Sequence, residues 1–460
     1  MIQTDNATVY LGSNLDILPT LPDNSVDAIV TDPPYGLSDN RFVAETITRW
    51  IQGERDFIPD GKGFMGKSWD AFVPPPALWD ECLRVLKPGG HLLAFFGSRT
   101  QDIGALSIRL AGFEIRDSIA WMYGSGFPKS LDISKAIDKA AGAKREITGT
   151  KEVTRDLSGG SWSELHGKPN NSTKVDITAP STPEAQQWEG WGTALKPAFE
   201  PVIVARKPLI GTVAENVLTY GTGGLNIDGS RVAGNKPSVP QPKLGVTNGV
   251  YEFGTGEGRN GEMSDNSQGR WPANVILDPY TAELLDEQSG ISKPEAARTG
   301  LKGGNNGALG EFGGSTADAI GHWPADSGGG ASRFFYVAKA SKRDRNEGLE
   351  ALPLIKGGAM SGAEYREGKP TNHPERQNFH PTVKPTDLMR YLVKLVTPPG
   401  GVVLDPFTGS GSTGKAAILE GFKFIGCELT EDYHPIIEGR LRHAEKMRKE
   451  QEAKKDEGLF

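Results

Sequence analysis

The chain changes character twice along its length, and those two breaks constrain its fold more than any single motif. From about residue 8 to residue 130, short apolar strands alternate with helices. The strands are "TVYLGS", "VDAIVTDPPYG", "HLLAFFG" and "EIRDSIAWMYG". The helices are "NLDILPTLP", "PALWDECLRVLKPGG" and "RTQDIGALSIRLAGF", the second with a Pro-Gly-Gly stop. The same alternation returns near residue 385 with "PTDLMRYLVKLVTPPGG", "VVLDPF", "STGKAAILEG" and "KFIGCEL". This rhythm predicts an α/β sheet with helices on both faces. Between the two stretches it is lost. Residues 146–196 are rich in Ser, Thr, Gly and Pro, and "FEPVIVARKP" is a short strand just after them. Residues 221–330 hold 24 of the chain's 59 glycines, which predicts long loops with short strands rather than a second sheet of the same kind. Islands of structure are expected at "RWPANVILD", "AELLDEQSG" and "SRFFYVAKASKRDR". The last twenty-five residues read as a solvated helix that frays at its end.

At 460 residues the chain can bury a sizeable core and hold more than one unit. Apolar residues make up 37% and no apolar run reaches bilayer-spanning length, so a membrane protein is not expected. The N-terminus has no basic region followed by an apolar stretch, so a secretory signal is not expected either. Cys82 and Cys427 have no CxxC partners and sit in apolar surroundings, which disfavours a disulfide framework or a zinc site and fits a reducing cytosol. The net charge of -7 counts mildly against a nucleic-acid binder, although a local basic surface can bind DNA on an acidic protein.

The stretch "DPFTGSGSTGKA" spaces its glycines and Lys415 as a phosphate-binding loop does, in all but one position. The missing position is Ala416, whose methyl group cannot ligate magnesium. Asp405, at the start of the turn, would repel a triphosphate and suits a cofactor with an amino group and a sulfonium charge. Glu428 ends the next strand, where an acidic side chain can accept hydrogen bonds from both hydroxyls of a ribose. Gly409, Gly411 and Gly414 also match the dinucleotide fingerprint. On this loop alone S-adenosylmethionine, NAD and a ligand-free tight turn all stay open.

The other strand-to-turn motif is "TDPPYG", which puts Asp32, Pro33, Pro34 and Tyr35 at the carboxyl end of a buried strand. In open α/β sheets ligands bind outside those ends. Two prolines fix the backbone, so a side-chain acceptor on Asp32 and the carbonyl of Pro34 lie close together beside an aromatic face. That set suits a planar amino group. Alone, a rigid turn with a capping Asp is the plainer explanation; together with Asp405 and Glu428, the binding site is favoured.

"DPPY" with "DPFTGSGST" resembles the S-adenosylmethionine-dependent amino-methyltransferases of DNA. The catalytic motif comes first and the cofactor motif last, as in the permuted β class of the adenine- and cytosine-specific enzymes. "HPTVKP", residues 380–385, is similar to the family segment before the cofactor strand, whose helix lines the methionine part of the site. The resemblance covers roughly 8–130, 195–210 and 378–445. It implies a Rossmann-like, doubly wound, circularly permuted methyltransferase sheet with a Gly-rich target-recognition insertion. The expected division is a catalytic half at 1–145, a flexible insertion at 146–196 and a returning strand at 197–210. A target-recognition region follows at 211–377, the cofactor-binding half at 378–445 and a charged tail at 446–460. S-adenosylmethionine would be held by Asp405, Phe407, Gly409, Gly411, Thr413 and Glu428, with Thr382 and Lys384. Many relatives carry Gly-Asp after the first strand; here Gly12, Ser13 and Asn14 stand there, and Asn14 is the residue carried forward.

These readings converge on a site-specific methyltransferase of double-stranded DNA that flips its target base out of the helix. Asp32 and the Pro34 carbonyl would accept the amino hydrogens, Tyr35 would stack on the ring, and transfer would be direct, without a metal. Asp at the first motif position favours adenine within the family; the alternative is cytosine N4. RNA or protein methylation, an inactive DNA-binding module and an ATPase are the rival functions. Arg333, Lys339, Lys342, Arg343 and Arg345 are the DNA-binding candidates, while Phe334, Phe335 and Tyr336 beside them read as core. The expected location is the cytoplasm of a bacterium or a phage-infected host. Dimers are common in this class, and nothing in the sequence demonstrates one.

Overall fold

A computed structural model describes residues 1–36, 42–61, 71–124, 126, 130–154, 172–233, 244–247, 250–253, 269–293, 298–301, 321–323, 328–339, 342–356 and 375–456. The chain forms two compact units, Met1–Asn226 with Asn274–Thr281 and Val337–Phe460, and Ile227–Ala273 with Ala282–Tyr336. Numbering only the strands of the large sheet, these are β1 (Ile2–Gln3), β2 (Ala7–Leu11), β3 (Val26–Thr31), β4 (Leu86–Phe95) and β5 (Glu114–Met122). They continue as β6 (Phe199–Arg206), β7 (Val275–Leu277), β8 (Tyr336–Val337), β9 (Val402–Asp405) and β10 (Lys423–Glu428). Their spatial order is β1-β2-β10-β9-β3-β4-β6-β5-β7-β8.

β2, β10, β9, β3 and β4 run parallel to one another. β6 is antiparallel to both of its neighbours, β4 and β5. This is a Rossmann-like sheet, mostly parallel, and it is assembled from both ends of the chain. β9 and β3, adjacent strands inside the parallel run, come from opposite ends of the chain and pair Val403 with Ala28 and Leu404 with Ile29. Strands covered on both faces read as continuous apolar runs, which is why "VDAIVT" is buried at every position. Its one charged member, Asp27, is 4% exposed and accepts from Lys87 Nζ at 2.6 Å and from Val402 N at 2.8 Å. A buried carboxylate is tolerable only when paired in this way, and here it also fastens the start of β9 to β3.

Three details depart from the sequence reading. Pro88-Gly89-Gly90 does not stop a helix: the helix Pro76–Val85 ends earlier, and the three residues lie within β4, at a register shift opposite Val26–Ala28. A bulge is where a strand admits proline and glycine. Residues 146–196 include a long antiparallel hairpin, Glu146–Thr154 with Ser172–Ala179, whose Thr, Val and Ile residues favour strands. The C-terminal helix, His434–Asp456, is solvated along only part of its surface. Ile436, Ile437, Leu441 and Ala444 are buried, with Arg440 among them.

The two cysteines are free and buried, and burial pushes both thiols up, Cys427 to about 12. Among the described residues no helix is long and apolar enough to cross a membrane. None of their His, Cys, Asp and Glu side chains form a group able to hold a metal ion.

Candidate active site

Parallel strands place the residues that follow them at one edge of the sheet. β3 delivers Asp32 there, β9 Asp405 and β10 Glu428. Thr31 Oγ1 donates to Asp405 Oδ1 at 2.6 Å, joining the two Asp-Pro turns directly. Thr100 Oγ1 donates to the carbonyl of Tyr35 at 2.6 Å and fixes the far end of the "DPPY" turn. Gly36 follows at φ +60, where a Cβ would lie 2.7 Å from the backbone nitrogen of Val73.

The glycine loop is held from inside. Asp405, 2% exposed, accepts at Oδ1 from Thr31 and from Phe407 N at 3.0 Å, and at Oδ2 from Thr413 Oγ1 at 2.6 Å. Burial raises its pKa to about 6 despite these donors, and the Asp32 charge adds to the rise. Glu428 accepts from Gly409 N at 2.7 Å and from Thr430 N at 2.8 Å, and burial raises its pKa as well. Asn14 Nδ2 donates to the Pro406 carbonyl at 3.1 Å, so it braces the loop from the first strand–helix turn. Phe407 is half-buried. Gly409 has φ +54, and a Cβ there would meet His380 Nε2 at 3.0 Å. Gly411 caps the helix Ser412–Leu419 at φ +76.

Lys415, which gives the loop its phosphate-binding look, faces elsewhere. It is 2% exposed, and its Nζ donates to Asp344 Oδ1 at 2.8 Å and Glu347 Oε2 at 2.9 Å. A lysine committed to two carboxylates inside the fold is not placed to reach a triphosphate.

The segment 380–384, well before β9, is drawn to the same edge of the sheet. His380 is buried, with Nδ1 2.9 Å from the Thr382 carbonyl and its ring edge-on to Tyr433. Burial holds it neutral, with a pKa lowered to about 4. The Thr382 side chain itself is exposed. Lys384, its side chain 8% exposed, reaches the "DPPY" turn: Nζ lies 2.6 Å from Asp32 Oδ2, 3.1 Å from Tyr35 OH and 3.3 Å from Glu200 Oε2. Tyr35 OH donates within 2.8 Å of Asp32 Oδ1 and 3.1 Å of Glu200 Oε2. Burial raises the Tyr35 pKa well above its ordinary value, and the two carboxylates raise it further. Burial works against the Lys384 charge, but Asp32 and Glu200 raise its pKa overall.

Glu200 carries no signal in the sequence taken linearly. It opens β6, and only because β6 is antiparallel does the beginning of that strand meet the carboxyl ends of the parallel ones. The sole hint is an acidic residue at the head of an otherwise apolar strand.

The basic candidates do not act alike. Arg345 gives its guanidinium to the backbone carbonyls of Asn378, at 3.2 Å, and of His380. It therefore holds the segment leading to Lys384. Lys339 is exposed, and Arg343 is 87% exposed beside Glu347. The side chain of Lys342 lies outside the described residues. In the second unit Arg333 donates to the carbonyls of Gly329 and Gly330, both at 2.7 Å. Phe334 is 38% exposed and so is not the core residue expected; the guanidinium groups of Arg333 and Arg270 sit 4.3 and 5.1 Å from its ring centre. Cations stack well on a ring that stays near solvent.

The family model described as DNA methylase, of the N6/N4 type, matches residues 26–156 and 263–439, more than half of the chain. The chain belongs to the DNA methylase family. Among curated relatives it is 48% identical over 54 residues to DNA adenine methyltransferase YhdJ of Escherichia coli (strain K12), covering 12% of this chain and 18% of that one. It is 42% identical over 99 residues to type II methyltransferase M2.DpnII of Streptococcus pneumoniae, covering 22% and 33%. These matches span a third or less of each relative's length. A solved structure, PvuII DNA methyltransferase (cytosine-N4-specific), aligns over 95% of this chain and 87% of its own at 13% identity, with a TM-score of 0.41.

Proposed function

We propose that this DNA methylase transfers a methyl group from S-adenosylmethionine to the exocyclic amino nitrogen of a flipped adenine in double-stranded DNA. The observation that carries the reading is the direct link between the two turns: Thr31, the residue before Asp32 of "DPPY", donates to Asp405 in the glycine loop.

The loop's chemistry fits the cofactor. Asp405 Oδ2 and Glu428 Oε2 each accept one hydrogen bond from the protein. A carboxylate oxygen can accept two, which leaves an acceptor at each for an amino group and a ribose hydroxyl. Two buried carboxyls with raised pKa values suit a cation rather than a polyphosphate. The bound cofactor supplies a methyl group activated by its sulfonium charge.

The protein's own part is positioning and charge. Asp32 and the Pro34 carbonyl accept the amino hydrogens of the target base and draw its nitrogen toward tetrahedral geometry, so that its lone pair becomes available. The Tyr35 ring packs on the base while its hydroxyl is fixed by Asp32 and Glu200. Lys384 holds the turn's carboxylate in place through a short charged hydrogen bond. Thr382, Asn14 and Phe407 complete the cofactor side. Lys339, Lys342 and Arg343, with Arg333 beside exposed Phe334, are proposed to meet the DNA. Within this family an Asp at position 32 favours adenine over cytosine N4.

The test is incubation of the protein with methyl-labelled S-adenosylmethionine and mixed-sequence double-stranded DNA, followed by nucleoside analysis. Label in N6-methyladenine supports the proposal, and label in N4-methylcytosine revises the base. Label in RNA or protein alone, or none, refutes it.

A further inference from the structure

We propose that Glu200 is the site's second working carboxylate, a positioning residue that receives, through the Tyr35 hydroxyl, the proton released from the target amino group. The inference rests on the methyl-transfer reading of the Asp32 turn and assigns a role to a residue outside every motif in the sequence.

An amino nitrogen that has gained a methyl group holds one proton too many and a positive charge. Asp32 is the nearest acceptor, yet a proton left there would stop Asp32 from accepting hydrogen bonds from the next base. The geometry offers an exit. Tyr35 OH is within hydrogen-bonding distance of both carboxylates, 2.8 Å from Asp32 Oδ1 and 3.1 Å from Glu200 Oε2. In the step, the N–H bond breaks and its electron pair returns to nitrogen while Asp32 takes the proton. Asp32 then passes a proton to the Tyr35 oxygen as Tyr35 gives its own to Glu200 Oε2. Nothing is oxidised or reduced, and Tyr35 ends as it began.

Charge favours this destination. Asp32 and Glu200 are 20% and 22% exposed and share one ammonium, Lys384, at 2.6 and 3.3 Å. The trio is one negative charge in excess, and a mostly buried cluster gains by taking one proton and becoming neutral. Lys384 is closer to Asp32 than to Glu200, so the ammonium is committed to the substrate-side carboxylate and Glu200 is left to accept the proton. The titratable groups facing Glu200 are Lys384, Tyr35 and Tyr123, with Asp32 beyond Tyr35; the Asp32 charge is also felt by His380 and Asp405. Burial, and then Glu200, raise the Tyr123 phenol to about 12, so it does not compete for the proton.

The test measures single-turnover methyl transfer against pH at saturating cofactor and DNA for wild type, Glu200→Gln, Tyr35→Phe and the double variant. Folding is checked by circular dichroism, and Glu200→Asp serves as the conservative control. If both carboxylates must be ionised, the acid limb of log rate against pH is steeper in wild type by one unit of slope than in Glu200→Gln. Each single variant is expected to lose about tenfold or more, as for a removed acid–base group. The double variant should be no slower than the slower single, and Glu200→Asp should recover part of the rate. An unchanged rate and acid limb in Glu200→Gln, or a lower rate with an unchanged limb, overturns the relay. Wild type that fails to methylate DNA refutes the underlying reading instead, and is seen before any variant is compared.

Discussion

Lys384 Nζ lies 2.6 Å from Asp32 Oδ2, a salt bridge between residues 352 positions apart in the chain. It ties the segment leading into the cofactor half to the turn that would hold the substrate. The cation is almost fully buried and is shared with Glu200 and Tyr35.

Lys384→Met should slow methyl transfer by about a hundredfold, because removing one partner of a buried ion pair leaves about 3 kcal/mol or more of unpaired charge. The two carboxylates would then titrate higher, so the rate should recover partly toward alkaline pH. Single-turnover rates at pH 7 and pH 9 check this. Equal losses at both would mean that Lys384 acts only by packing.

Cofactor affinity should weaken in acid. Asp405, raised to about 6 by burial, must be ionised to meet a cationic ligand. Below pH 6 the dissociation constant should rise about tenfold per pH unit, with proton release on binding. Calorimetry in buffers of different ionisation enthalpy detects that proton directly. Asp405→Asn should bind weakly at every pH, with no proton released.

Stability should fall between pH 6.5 and pH 4. His380 and His91 are buried, and burial is the leading reason each has a pKa of about 4 instead of 6.5. An unfolded chain binds protons that the folded one rejects, so their stabilising contribution is complete above 6.5 and lost as pH falls toward 4. The ceiling is about 3 kcal/mol for each. Asp405 acts in the opposite sense, since its raised pKa stabilises the fold when protonated and that effect is lost as pH rises through 6. Burial raises Glu428 in the same sense as Asp405, while Asp344, held low by Lys415 despite its burial, adds to the loss in acid. Urea midpoints at pH 7.5 and 4.5 should show the loss, and His91→Gln should make it smaller.

Gly414→Ala should destabilise by about 1–3 kcal/mol. A Cβ at 414 would meet Leu441 Cδ2 and Phe424 Cε1, both at 2.7 Å, where the loop helix packs against β10 and the C-terminal helix. Thermal melts with and without cofactor check this. A melting temperature equal to wild type would mean that the helices can separate at no cost.

The sequence was most informative where local chemistry decides structure. Apolar runs such as "VDAIVT" located the parallel strands, and Asp32, Asp405 and Glu428 follow or end three of them. It was least informative where topology decides. Lys415 reads as a phosphate ligand from its spacing, but folding turns it onto Asp344 and Glu347. Arg345 reads as a free basic residue, but it serves two carbonyls near His380. Glu200 was invisible because its position depends on strand direction, which a single strand's composition does not encode.

The most direct test of the central claim compares Asp32→Ala with wild type in two measurements on the same preparation: S-adenosylmethionine binding by calorimetry, and single-turnover transfer to DNA. The account predicts a dissociation constant within about threefold of wild type, because Asp405 and Glu428 are untouched, and a transfer rate lowered by about a thousandfold or more. A variant that binds cofactor and still methylates DNA near the wild-type rate would contradict it.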